Sequence, residues 1–113
     1  LPFKVGWLIS MPDFTEYFQQ QPESIKNLIK YTIQELRPTQ LILFGSRARG
    51  DHRENSDFDI AIRGPINLQK WTRFVTELEE KNLSLYPVDL VQLEQLGQDY
   101  QKNIKIEGKV IYG

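Results

Sequence analysis

Two aspartates follow a glycine-serine turn in this chain, in the pattern Gly45-Ser46-x10-Asp57-x-Asp59. Side chains alternate across a strand, so both carboxylates should project from one face while the apolar residues beside them face the core. Adjacent like charges on a half-buried surface repel each other, and they are tolerated when a cation neutralises them or a pKa rises. Mg²⁺ prefers oxygen ligands and is commonly held by one or two carboxylates together with substrate phosphates. The pair therefore indicates a magnesium site.

The turn before the aspartates carries groups that bind phosphate. Gly45 lets the backbone approach a phosphate closely, Ser46 adds a hydroxyl, and Arg47 and Arg49 add positive charge. Taken singly, the Gly-Ser residues are most simply interpreted as an ordinary turn. The two aspartates, taken singly, are most simply interpreted as a solvated strand face. Joined at this spacing, they predict a metal-dependent nucleotide site. An anionic ligand is also favoured because five of the six arginines surround the motif, at Arg37, Arg47, Arg49, Arg53 and Arg63.

Two strands and a helix should position these groups. Leu41–Phe44 is a continuous apolar run, typical of a strand buried on both faces, and it ends at the turn. The aspartate strand is broken by Gly64-Pro65. Upstream, Pro22 suits the first residue of a helix that ends before Pro38. Its apolar stripe consists of Ile25, Leu28, Ile29, Ile33 and Leu36.

The second half of the chain predicts a helix, a strand and a further helix. Asn67 is a plausible cap for the first helix, and residues 87–91 read as a strand. Residues 99–107 read as the last helix, stopped by Gly108 and followed by an extended tail over 109–112. The side chains predicted to face inward from the first of these helices are Leu68, Trp71, Phe74, Val75 and Leu78.

The roles of Asp89 and His52 depend on where each side chain faces. A charged residue within Val88-x-Leu90-Val91 would be awkward in a plain core strand, so Asp89 either faces solvent or joins the other carboxylates. His52, the one histidine, lies in the charged run 51–54 and is expected to be a surface residue rather than a base or ligand.

Composition restricts the class of protein. The 113 residues predict a single domain over 1–113, with residues 1–21 as an N-terminal extension packed on it. Hydrophobic and charged fractions of 40% and 26% are those of a soluble globular protein. No segment reaches the ~18 apolar residues of a membrane span, and no signal peptide is expected. The absence of cysteine fits a cytoplasmic protein.

The motif resembles a known group of enzymes. Gly45–Gly50 with Ser56–Ile60 is similar to the signature of the DNA polymerase beta-like nucleotidyltransferase superfamily, specifically its minimal nucleotidyltransferase (MNT) branch. The resemblance is tight over Leu41–Ile62 and looser elsewhere. It implies an α/β (α+β) nucleotidyltransferase fold with a small mixed β-sheet flanked by helices. It also implies that Asp57, Asp59 and Asp89 form the catalytic, metal-binding triad, with nucleotide bound by Gly45, Ser46, Arg47 and Arg49.

The resemblance further implies an activity and a partner. Members of the MNT branch are often encoded with an all-helical HEPN toxin and act as its antitoxin. We therefore expect a Mg²⁺-dependent enzyme that transfers AMP from ATP to a hydroxyl, with a tyrosine of the HEPN toxin as the expected acceptor, and that can form an oligomer with that partner. A net charge of −1 and the absence of a basic groove beyond the motif argue against a nucleic-acid acceptor.

Two other functions stay open at this point. One is a non-catalytic antitoxin, a binding module that neutralises a HEPN partner by occlusion and keeps its carboxylates for structure alone. The other is transfer to a small-molecule hydroxyl, although enzymes of that kind generally carry an added substrate domain. The presence of all three acids and the Gly-Ser turn favours activity.

Overall fold

A mixed four-stranded sheet forms the centre of the computed structural model, which describes residues 13–113. The strand order is β3-β2-β1-β4. Strand β1 is antiparallel to β2 and to β4, whereas β2 and β3 are parallel. The predicted class, a small mixed sheet flanked by helices, is confirmed. The strands are β1 (Gln40–Phe44), β2 (Phe58–Arg63), β3 (Val88–Gln92) and β4 (Lys109–Tyr112).

Helices cover both faces of this sheet. In chain order they are α1 (Glu16–Gln19), α2 (Glu23–Leu36), α3 (Ser46–Arg49), α4 (Leu68–Lys81) and α5 (Gln98–Glu107), with a 3₁₀ turn at Leu93–Gln95. Helices α2 and α4 pack on the face formed by Leu41, Leu43, Phe58, Ile60 and Ile62. Helix α5 and the 3₁₀ turn pack on the opposite face, against Ile42, Phe44 and Ala61. Strands β1 and β2 are thus buried on both sides, as the apolar run in β1 predicts.

The segment before α2 contributes to the core. Phe18 of α1 is 3% exposed, and its ring stacks on Phe14 with 4.1 Å between centroids. Phe14 forms a β-bridge with Tyr112, and the Thr15 N–H donates to the Ile111 carbonyl at 3.0 Å. Residues 13–21 of the predicted N-terminal extension therefore lie against β4. Residues 1–12 of that extension lie outside the described residues.

Several helix boundaries and side-chain orientations differ from the sequence-based expectation. Pro22 is the N-cap of α2 rather than its first residue, and α5 begins one residue early, at Gln98. The prediction that Leu68 faces inward is wrong, since this side chain is 77% exposed. The reason is its helical position, because Leu68 shares a face with Thr72 and Thr76, which are both exposed. The cap is as predicted, since the Asn67 side chain accepts a hydrogen bond from the Lys70 N–H at 2.8 Å.

Candidate active site

The strand register brings Asp59 to the middle of the predicted site. Asp59 pairs with Phe44 at the end of β1 and, in the parallel ladder, with Asp89 at the start of β3. Residues paired in this way project to the same face of a sheet. That face is the one covered by α5, because Ile42 and Ala61 form the next pair on the same face of the two strands. Asp89 therefore lies beside Asp59 on the same face of the sheet, and its side chain is also exposed to solvent.

Asp59 lies close enough to Asp57 and to Asp89 for the charge of each to affect its pKa. The pKa of Asp59 is raised above its ordinary value chiefly by burial, then by the negative charges of Asp89 and Asp57, while Arg49 lowers it. Asp57 and Asp89 are exposed, and Asp59 is half-buried. A half-buried carboxylate with two acidic neighbours is costly in its charged form. This arrangement favours a cation at Asp59.

Gly45 allows this crowding because it has no side chain. A Cβ atom built on Gly45 would overlap Asp59 Oδ2 and lie 3.2 Å from Asp59 Cγ. The backbone of Gly45 also has φ +73°, a conformation that L residues rarely adopt. Gly45 and the carboxylate of Asp59 are therefore in contact, and this contact joins the Gly-Ser turn to the aspartate strand.

The carboxylates suit a hard divalent cation but do not enclose one. Within residues 13–113, no three His, Asp, Glu or Cys side chains converge closely enough to hold a metal ion among themselves. Mg²⁺ usually keeps several waters and takes one or two carboxylates together with substrate phosphates. Asp57 and Asp59 can supply those two carboxylates, and a triphosphate at Gly45 would supply further oxygens. The residues therefore fit a metal that is bound together with nucleotide.

Arg47 is engaged by the loop that leads into Asp57. Its Nη2 donates to the carbonyl oxygens of Glu54 at 2.9 Å and Ser56 at 3.1 Å. Its guanidinium carbon lies 4.1 Å from the ring centroid of Phe58 and 5.5 Å from that of Tyr86. Arg47 thus connects α3 to the residues immediately before the aspartate strand. Phosphate binding by Arg47 stays a prediction, and the contacts in the structure give it a positioning role.

Removing the Arg47 side chain should destabilise the protein. We expect Arg47→Ala to lower the free energy of unfolding by about 1.5–3 kcal/mol, since a charged donor and two aromatic contacts are lost together. Arg47→Lys should recover only part of this, because an ammonium neither forks between two carbonyls nor stacks flat. Urea unfolding measures the effect, with the exposed Arg53→Ala as the matched control. Equal stability of Arg47→Ala and Arg53→Ala would contradict the positioning role.

Arg49 and Ser46 complete the predicted phosphate side of the site. Arg49 is exposed and its Nε lies 3.3 Å from Asp51 Oδ2, an ion pair open to solvent that a phosphate could replace. Ser46 begins α3 directly after Gly45 and is half-buried. His52 is exposed in the loop, as predicted for a surface residue.

A cavity of about 250 Å³ opens beside Asp59. Gly45, Arg49 and Asp59 line one side of it, as the sequence predicts for nucleotide-binding residues. Three residues of α5 that the sequence-based prediction did not include also line the cavity: Tyr100, Asn103 and Glu107. The sequence signal that could have identified them is their spacing of three and four residues, which places them along one helix face.

Comparisons with known proteins agree with this geometry. The family model for Polymerase beta, Nucleotidyltransferase matches residues 26–113. A protein of Methanocaldococcus jannaschii, provisionally named a protein adenylyltransferase, is 37% identical over 84 residues, which are 67% of this chain and 80% of the relative. The chain thus matches the family over most of its length.

Solved structures share the fold. A chain of a toxin–antitoxin crystal structure with AMP-PNP has a TM-score of 0.62 and 24% identity, over 81% of this chain and 74% of that chain. A mutant of the toxin–antitoxin MntA-HpeT has a TM-score of 0.59 and 23% identity, over 78% of this chain and 71% of that chain. A structure provisionally described as a minimal nucleotidyltransferase has a TM-score of 0.54 and 25% identity, over 74% of this chain and 85% of that chain. Given the family match, the chain belongs to the Polymerase beta nucleotidyltransferase family and is a nucleotidyltransferase.

Proposed function

We propose that the protein is a Mg²⁺-dependent adenylyltransferase that moves AMP from ATP to a tyrosine hydroxyl of a helical HEPN toxin and so acts as its cytoplasmic antitoxin. The observation that carries the proposal is the contact of Gly45 with Asp59, flanked by Asp57 and Asp89. The name of the M. jannaschii relative supports protein adenylylation. The AMP-PNP and toxin–antitoxin neighbours support nucleotide and a toxin as ligands. None of the helices between residues 13 and 113 combines the length and apolar character that crossing a membrane requires.

Each residue of the site has a role in this reaction. Asp57 and Asp59 would hold the metal, which when bound neutralises charge on the triphosphate and on the leaving pyrophosphate. Gly45 brings its backbone close to the phosphates, while Ser46 and Arg49 donate hydrogen bonds to their oxygens. These contacts fix the α-phosphorus relative to the incoming hydroxyl.

Asp89 can accept the proton that the acceptor hydroxyl loses. Asp89 is exposed at the start of β3, directly beside Asp59 in the register, so an acceptor side chain can approach it from solvent. Its carboxylate would take the proton as the acceptor oxygen bonds to the α-phosphorus, or it would complete the metal site. The bond from the α-phosphorus to the bridging oxygen breaks, and pyrophosphate leaves.

Transfer to the partner is tested by mass spectrometry. Incubation of the protein with its HEPN partner, ATP and Mg²⁺ should add the mass of an AMP group to a tyrosine of the partner. Asp57→Asn should abolish the adduct while complex formation persists, since Asn keeps the shape but loses the charge that holds the metal. Neutralisation of the partner should be lost with it.

Two outcomes would contradict the proposal. An unmodified partner that is neutralised equally by wild type and Asp57→Asn would show that neutralisation is by occlusion. An adduct formed on nucleic acid or on a small-molecule hydroxyl, with none on the partner, would assign a different acceptor class.

A further inference from the structure

The cavity beside Asp59 is too small for a whole nucleoside triphosphate. Its volume is about 250 Å³, whereas pockets that hold drug-sized ligands have ~300–1,000 Å³. It can therefore hold one part of the nucleotide while the remainder lies outside. Which part it holds follows from the charges and ring systems along its walls.

The elements that line this cavity contribute different charges. The turn and β2 contribute Gly45 and Asp59, and α3 contributes Arg49, so a metal at Asp59 and the Arg49 guanidinium would neutralise phosphate charge. Helix α5 contributes Glu107, and a carboxylate there repels phosphate. The triphosphate should therefore lie toward Arg49, which leaves the α5 side for the uncharged base and ribose.

Tyr100 gives the α5 side a surface for stacking. The residue is 51% exposed, which is unusual for a large aromatic side chain. Its ring makes an edge-to-face contact with Phe44, with 6.2 Å between centroids and an interplanar angle of 87°. Phe44 is buried at the end of β1, so it holds the Tyr100 ring in place at the cavity wall.

Asn103 lies one helical turn after Tyr100 and lines the same cavity. Its exposed side-chain amide offers both a donor and an acceptor. An Asn amide can bond in bidentate fashion to the N6 and N7 atoms of adenine. Asn103 can therefore hydrogen-bond the edge of an adenine base that lies in this cavity.

We propose that Tyr100 and Asn103 form the base-binding site, with Tyr100 stacking on the base and Asn103 hydrogen-bonding its edge. The inference rests on the proposed function, because it assigns the base site of the same nucleotide. It adds a base-binding surface on α5, a helix that lies outside the Gly-Ser and aspartate motifs.

Equilibrium binding of Mg-ATP, Mg-CTP and Mg-tripolyphosphate tests the proposal. Tyr100→Ala should weaken ATP and CTP alike, by about 5- to 100-fold, the range that stacking on an aromatic ring supplies. Tyr100→Phe should bind both as wild type does. Asn103→Ala should weaken ATP by about 5- to 100-fold, because its hydrogen bonds to the base are lost. Tripolyphosphate, which has no base, should bind equally to all variants, and this shows that each variant is folded.

Ile106→Ala is the matched control. Ile106 is 70% exposed on the same helix and does not line the cavity, so its loss should leave all three affinities unchanged. Wild-type ATP affinity in Tyr100→Ala and Asn103→Ala would overturn the base site while leaving the proposed function standing. Failure of wild type to bind either ATP or tripolyphosphate would overturn the proposed function itself, and the base site with it.

Discussion

Asp59→Asn should lose nucleotidyl transfer by at least about 100-fold. Loss of a group that merely orients a metal ligand already costs ~10–100-fold in affinity or activity, and Asp59 is a proposed ligand itself. It is also the most central of the three acids, paired with Asp89 across the ladder and in contact with Gly45. The measurement is the rate of AMP transfer to the partner at saturating Mg²⁺ and ATP.

The same substitution should stabilise the metal-free fold. Burial, Asp89 and Asp57 raise the pKa of Asp59 in the folded protein, so the folded state binds more protons than the unfolded chain between the two pKa values. The stability contributed by protonated Asp59 is fully present below the unfolded value of about 3.9 and is lost as the pH rises through the raised pKa. Asparagine does not ionise and avoids that loss.

Thermal unfolding in EDTA measures this second effect. At neutral pH, Asp59→Asn should melt at a higher temperature than wild type, and the difference should shrink as the pH is lowered toward about 4. Asp99→Asn is the matched control for both assays, because Asp99 is an exposed aspartate in the first turn of α5. Wild-type transfer rates in Asp59→Asn would remove Asp59 from the catalytic machinery.

Gly45→Ala should also abolish transfer, although it changes no charged or hydrogen-bonding group. The new methyl group would overlap Asp59 Oδ2, so the carboxylate must move away from its position beside the turn. A misplacement of about 1 Å can cost ~100-fold in rate, and we expect a loss of at least that size. The backbone of Gly45, with φ +73° and ψ −157°, lies in a region essentially confined to glycine and adds a stability cost of about 1–3 kcal/mol.

Gly50→Ala distinguishes the effect of backbone strain from the effect of displacing the Asp59 carboxylate. Gly50 has φ +86° and ψ 4°, the left-handed helical region, so alanine there costs about 1–2 kcal/mol, but nothing lies within 4 Å of its Cβ position. Both variants should therefore lose stability in urea unfolding, Gly45→Ala more than Gly50→Ala, while Gly45→Ala alone loses transfer. Comparable transfer rates in both variants would show that the Gly45–Asp59 contact is not needed for catalysis.

Sequence patterns are sufficient to predict those structural elements whose signals lie in neighbouring residues. The apolar run of β1, the turn at Gly45 and the alternation through Asp59 each depend on residues that are neighbours in the chain. Periodicity of two or 3.6 residues records which face of an element is buried, so the alternation correctly predicts that Ile60 and Ile62 face the core. The same reasoning fails for Leu68, because a residue at the end of a helix can match the stripe and still lie on the exposed face.

Arg47 shows a different limit of sequence reasoning. Its type and position beside the Gly-Ser turn suggest phosphate binding, since a guanidinium is suited to that ligand. The same group is equally suited to stacking on Phe58 and to donating to the carbonyls of Glu54 and Ser56. Which partner it takes depends on where the loop before Asp57 folds, and that is not encoded in the local pattern.

The sequence by itself determined the Gly-Ser turn and the aspartate pair through residue type and short-range spacing, and it determined the class of fold through the family resemblance that this motif carries. Only the tertiary structure decided that Asp89 lies beside Asp59, through the parallel register of β2 and β3. Only the tertiary structure placed Tyr100 and Asn103 in the same cavity as Gly45. Strand register and helix packing join residues far apart in the chain, and their geometry is set by burial of the whole sheet rather than by any local signal.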